Sequence, residues 1–145
     1  KKKKTTRHYS MMTVNLVSVD VKTNVAMNLK YFKYEEFASP DVSDSGEYMD
    51  TEFLTMLDHA REIAGIPFKI NSGWRSIEHN YEVGGKPNSS HIVGKAADLA
   101  VKGSRQRWII TEALIKAGFN RIGIAKTFIH VDSDETKDAN VIWTY

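Results

Sequence analysis

The segment Ser89-Ser90-His91-Ile92-Val93-Gly94-Lys95-Ala96-Ala97-Asp98 sets a histidine and a carboxylate seven residues apart, with small residues between them that let the backbone pack closely. A second histidine, in Phe128-Ile129-His130-Val131-Asp132, lies near the C-terminus in a run that reads as a strand. Two imidazoles and one carboxylate are the donor set of a zinc site that keeps a fourth position open. Zinc held in this way activates water and polarises a carbonyl, which is the chemistry of hydrolysis. Calcium or magnesium prefers more oxygens and no imidazole. His91, Asp98 and His130 are therefore the candidate ligands of one zinc ion; the competing reading is a pair of unrelated histidines. A non-haem iron triad also combines two histidines with a carboxylate. It commonly draws its first two ligands from a His-x-Asp pair and needs a later histidine, and none follows His130-x-Asp132.

Hydrolysis also needs a proton acceptor and a group to hold developing charge. The period of two along Phe128–Asp132 puts His130 and Asp132 on one face, with Ile129 and Val131 toward the core. Asp132 is thus a candidate general base, or equally a carboxylate that orients a ligand histidine. Arg75 follows a glycine at a strand exit, in Ser72-Gly73-Trp74-Arg75-Ser76, where a guanidinium can clamp a carboxylate or stabilise an oxyanion. Trp74 either walls the cleft or fills core. His59, inside a helical pattern, reads as a partly buried structural histidine, and His79 and His8 read as exposed.

These residues must be positioned by a scaffold of mixed elements. Thr13–Val21 is rich in β-branched residues and reads as an edge strand or an arm. Tyr31–Phe37 reads as a short aromatic turn of helix, and residues 39–49 as a loop. Asp50 caps a helix running to about Ala64, with Phe53, Leu57, Ala60 and Ala64 on one stripe and Gly65 as its stop. Residues 66–72 read as a strand with Phe68 and Ile70 inward. Ser76 caps a short helix through Tyr81. Residues 96–101 form a strand that puts Asp98 opposite in direction to Ala97 and Leu99. Ser104 caps a further helix, with Trp108, Ile109, Ala113 and Leu114 as its buried face and Gly118 as its end. Strands follow at 119–125, 128–132 and 141–143. Strands and helices mix without regular alternation, so the expected class is α+β: a single small domain, mainly antiparallel sheet with flanking helices, the zinc site on the sheet.

Composition sets the outer bounds. The 145 residues suit one domain, and 41% hydrophobic with 26% charged residues is an ordinary globular balance. Lys1 to Lys4 and Arg7 carry more positive charge than the formal net charge of +2, so the body without them is slightly acidic and no specific nucleic-acid partner is expected. With no cysteine, thiolate metal sites, disulfides and cysteine nucleophiles are excluded. No run approaches the ~18 apolar residues of a membrane span, and the basic start lacks the apolar stretch of a signal peptide.

Ser89-x-His91-x-x-Gly94-x-Ala96-x-Asp98 followed by His130-x-Asp132 resembles the zinc D-alanyl-D-alanine carboxypeptidases and the related L-alanyl-D-glutamate endopeptidases, many of them phage lysins. Tyr34-Glu35-Glu36-Phe37, Asn71 to Ser76, Asn80, Val83-Gly84-Gly85 and Pro87 extend the likeness over roughly residues 30–145. Residues 1–29 fall outside it, as a basic N-terminal extension, and 30–145 would be the zinc peptidase domain. The resemblance implies His91, Asp98 and His130 as zinc ligands, Arg75 on the substrate's anionic group and Ser89 hydrogen-bonding near the metal. The substrate it implies is a peptidoglycan stem peptide, cut in the host periplasm or wall, or from a virion, with bacterial extracytoplasmic action as the alternative. Many members carry Glu three residues before the last ligand as base; this chain has Thr127 there, which shifts that role toward Asp132. The same departure keeps a second expectation open, an inactive metal-binding module that binds cell wall or serves in a virion.

Overall fold

The computed structural model describes residues 29–145; the strand expected at Thr13–Val21, the basic tail and His8 lie outside them. Five strands form one sheet in the order β1-β2-β4-β3-β5: β1 Ile70–Ser72, β2 Ala96–Ala100, β3 Arg121–Ile124, β4 Phe128–Asp132 and β5 Val141–Thr144. Three of the four pairings are antiparallel, and β5 joins the edge parallel to β3. The expected α+β class with a mainly antiparallel sheet holds.

The first long helix, α1 (Thr51–Ala64), starts where its sequence says it should. The Asp50 carboxylate accepts the Phe53 N–H at 2.9 Å, satisfying an otherwise orphaned donor, and Gly65 ends the helix in the left-handed region. Phe53, Leu54, Leu57 and Ala60 are buried, each large side chain removing enough apolar area to stabilise the fold by about 1.5–3 kcal/mol. They meet Ile110, Leu114, Phe119, Leu99, Ile122, Ile129 and Val131 in one core between the helices and one face of the sheet. Alternation on β2 and β4 therefore turns Asp98, His130 and Asp132 to the opposite face.

Several local expectations are corrected. The strand expected over 66–72 is confined to Ile70–Ser72, because Pro67 has no N–H to give a ladder and the pairing with β2 reaches only Ile70 to Ser72. Within the loop 39–49, Ser45–Tyr48 winds into a 3-10 turn. His59 is exposed, and His79 is partly buried, its Nδ1 3.8 Å from Glu82. The helix after β2, α3 (Gly103–Lys116), begins two residues early, with the Lys102 N–H donating to Gln106 Oε1 at 2.6 Å, so Ser104 is not its cap. Its buried face is Ile110, Ala113 and Leu114, while Trp108 is 68% exposed. Trp108 precedes Ile110 by two residues and so lies on nearly the opposite side of a helix with 3.6 residues per turn. The short helix α2 (Ile77–Glu82) is capped by Ser76, whose hydroxyl accepts the His79 N–H. Among the described residues no helix is long and apolar enough to cross a membrane.

Candidate metal centre

Asp98 and His130 are cross-strand partners on β2 and β4. His91 comes from the loop before β2, whose backbone is pinned in part by the Arg75 N–H donating to His91 O at 3.2 Å and the Asp50 N–H to Gly94 O at 2.9 Å. One donor atom from each of His91, Asp98 and His130 lies within 4.8 Å of the others. The strands supply two of these side chains through register alone; the third depends on the loop.

Tautomers follow from the outer hydrogen bonds. His91 Nδ1 is 2.8 Å from Gly73 O, an acceptor, so Nδ1 carries the proton and Nε2 turns a lone pair toward Asp98 Oδ1 at 3.3 Å. His130 lies between two carboxylates, Nε2 2.7 Å from Asp132 Oδ2 and Nδ1 3.0 Å from the same Asp98 oxygen; with one proton on Nε2, Nδ1 is the nitrogen that presents a lone pair at the centre of the site. One nitrogen from each imidazole and one carboxylate oxygen thus converge on one point, where a proton or a metal ion can be shared among them. Ligand histidines whose other nitrogen donates to a carbonyl and to a carboxylate are how metal sites are usually held. The donor set, two imidazoles and a carboxylate without sulfur, fits zinc.

Electrostatics agree with a cation there. Burial pushes the Asp98 carboxyl up, but hydrogen bonds with His130 and His91 outweigh it and hold the group well below the usual carboxylate range. Burial lowers His130, yet its bonds to Asp132 and Asp98 raise it above its ordinary value. A field that favours a proton on this imidazole equally favours a metal ion beside it.

Arg75 reaches the site as its position suggested, but onto a ligand. Its Nη2 donates to Asp98 Oδ2 at 3.0 Å, while Nε donates to Ser72 Oγ at 2.9 Å. This occupies the outer carboxylate oxygen and leaves Oδ1 facing the histidines. Ser89 lies on the cleft, its hydroxyl accepting the His91 N–H at 3.3 Å. Trp74 is turned elsewhere, packing on Tyr48 with ring centres 5.0 Å apart, and does not line the cleft. Asp132 is 1% exposed with both oxygens taken: Oδ1 accepts from Arg121 Nε at 2.7 Å and the Asp134 N–H at 3.1 Å, Oδ2 from His130. Thr127 sits exposed in the turn between β3 and β4, at the end of β4 away from Asp132.

The site opens into a cleft of about 840 Å³, within the range of small-ligand pockets. Phe128, Trp143 and Tyr145 form one of its walls, with the Phe128 and Tyr145 rings 5.1 Å apart. Asp138, on the exposed segment after β4, is a third carboxylate on the cleft. Sequence reasoning missed Arg121, Asp138, Trp143 and Tyr145. The alternation of Val141, Trp143 and Tyr145 could have flagged a common face, but not which face. A latch closes the far side: Ser90 Oγ donates to Asp134 Oδ2 at 2.7 Å, and Lys137 Nζ donates to Asn88 O and Ser90 Oγ. It ties the segment after β4 to the loop that carries His91.

Comparison with known proteins agrees with this geometry. The zinc D-Ala-D-Ala carboxypeptidase of Streptomyces albus G is 41% identical over 56 residues, which is 39% of this chain and 22% of that protein. The match therefore spans less than a quarter of that relative's length. The sequence model of the peptidase M15 family matches residues 30–132, a span that contains His91, Asp98, His130 and Asp132. With well over half of its length so matched, the chain belongs to the peptidase M15 family.

Proposed function

We propose that this protein is a zinc-dependent peptidase that hydrolyses peptidoglycan stem peptides, of the D-Ala-D-Ala carboxypeptidase or the L-Ala-D-Glu endopeptidase type. The observation that carries the reading is the convergence of His91 Nε2, Asp98 Oδ1 and His130 Nδ1, each imidazole anchored through its other nitrogen to Gly73 O or Asp132 Oδ2. Family membership and the name of the Streptomyces albus G relative support the substrate class. The resemblance to lysin peptidases extends the reading to a phage lysin acting on the host cell wall.

Zinc bound at the three donors would supply a Lewis acid that activates water and polarises the scissile carbonyl. The chain's own groups do the rest. Arg75 neutralises the outer oxygen of Asp98 and keeps a guanidinium face at the cleft for an anionic substrate group. Ser89 offers its hydroxyl beside the ligands. Asp132 orients His130 rather than taking the proton of water, since it is buried and each of its oxygens already accepts from a donor of the protein. Asp138 is then the cleft carboxylate left to act as base.

A second reading is favoured by one observation: the position three residues before His130 holds Thr127, where many members of the family it resembles carry Glu. On that reading the domain binds metal and cell wall without turnover. Digestion of purified peptidoglycan by the zinc-loaded protein, with mass spectrometry of the released peptides and a His91→Ala control, separates the two. Cleavage at one stem-peptide bond in the wild type alone is expected for the peptidase.

A further inference from the structure

One row of residues on the site face crosses all five strands: Ser72 is registered with Asp98, Asp98 with His130, His130 with Gly123, and Gly123 with Trp143. Neighbouring strands lie about 4.8 Å apart, so His130 and Trp143 sit two strands apart, with β3 between them. A side chain on β3 would keep them from touching. Gly123 has none, and the indole lies across its backbone: a Cβ there would stand 2.6 Å from both Cε2 and Nε1 of Trp143. The indole thereby reaches the imidazole of His130, ring centres 5.4 Å apart at 50°. The Arg121 guanidinium lies 5.2 Å from the centre of the same indole and donates through Nε to Asp132, which in turn accepts from His130 Nε2. Trp143, Arg121, Asp132 and His130 form a closed ring of contacts.

We propose that Trp143 is a positioning residue for His130, and that position 123 is glycine in order to admit it. This rests on the reading of His91, Asp98 and His130 as metal ligands. The Asp132 hydrogen bond fixes one edge of the imidazole but leaves it free to tilt about that bond. Contact with the indole removes the tilt and keeps Nδ1 aimed at the point where the donors converge. The indole also keeps water from the His130–Asp132 hydrogen bond, which strengthens it by lowering the local dielectric. Arg121, stacked on the indole and bonded to Asp132, locks the two supports together.

The test is the zinc dissociation constant of the full chain, measured by chelator competition for the wild type, Trp143→Phe, Trp143→Ala, Gly123→Ala and the double variant Gly123→Ala/Trp143→Ala. Loss of a group that orients a ligand histidine typically weakens metal binding about 10- to 100-fold, and that loss is expected for Trp143→Ala. Trp143→Phe recovers part of it, because a ring still covers the glycine. Gly123→Ala alone weakens zinc comparably by expelling the indole. The double variant is no weaker than Trp143→Ala, since the truncated side chain makes room for the methyl, and this non-additivity is the signature of coupled residues. Zinc binding unchanged in Trp143→Ala overturns the proposal, as does a Gly123→Ala penalty that persists in full without the indole. Should Trp143→Ala fail to fold, unchanged affinity in both Trp143→Phe and Gly123→Ala overturns it equally. A wild type that binds no zinc would instead remove the metal-site reading on which the proposal stands.

Discussion

Asp132→Asn separates the two roles open to this carboxylate. Three donors converge on it: Arg121 Nε and the Asp134 N–H on Oδ1, and His130 Nε2 on Oδ2. An amide has one oxygen and one NH₂, so either orientation turns an NH₂ toward a donor. If the NH₂ faces His130, the ring must move its proton to Nδ1 and surrender the lone pair aimed at the metal. If it faces Arg121, a guanidinium only 11% exposed loses its carboxylate and keeps Asp138 O and the Trp143 ring. A hydrogen bond to a charged group is worth about 1.5–3 kcal/mol. The metal-free protein should therefore lose roughly 2–3 kcal/mol in urea unfolding. Zinc affinity should fall about 10- to 100-fold, as measured by chelator competition. Peptidase activity should return in large part when zinc is raised to saturation. If zinc affinity stays within about twofold of wild type while turnover is abolished at saturating zinc, together with the acid limb of the pH profile, the orienting role is refuted and Asp132 is the base.

Two further outcomes follow from the loop that carries His91. Gly94 has φ +73°, and a Cβ there would stand 2.3 Å from Tyr48 O, a backbone atom that cannot swing aside; Gly94→Ala should cost about 2–4 kcal/mol in denaturant unfolding and weaken zinc binding, and a loss under about 0.5 kcal/mol would contradict the packing described. Burial pushes the Asp134 carboxyl up, but hydrogen bonds from Thr136 and Ser90 outweigh it and lower the group from 3.8 to about 2. A depressed carboxylate stabilises the fold above its unfolded value and loses that contribution as pH falls through its folded value. The melting temperature of the wild type should thus drop more steeply than that of Asp134→Asn as pH falls from 3.8 toward 2, and parallel curves would contradict the latch.

What the sequence could reveal was governed by how local the cause was. Asp50, the stripe through Phe53, Leu57 and Ala60, and Gly65 act within one helix, and they define α1 to the residue. The alternation of β4 likewise gave the common direction of His130 and Asp132, and the small residues before Asp98 pointed to close packing. Trp143 was out of reach, because its importance arises from a parallel pairing of β5 with β3 and from the side chain that Gly123 lacks. Arg75 was placed at the site from its neighbours, but its partner Asp98 is 23 residues away and follows from sheet order. The face of α3 was misjudged because Trp108 is large and apolar, although the spacing of Ile110, Ala113 and Leu114 outweighs a single bulky residue.

The most direct test of the central claim sets three samples side by side on purified peptidoglycan: the zinc-loaded protein, the same protein stripped of metal, and His91→Ala supplied with zinc. Mass spectrometry of the released peptides should show new termini at one stem-peptide bond for the first alone, with cleavage restored to the stripped protein by one equivalent of zinc. Cleavage that persists without metal would contradict the assignment of His91, Asp98 and His130, and bound zinc with no bond cut would leave a metal-binding module in place of a peptidase.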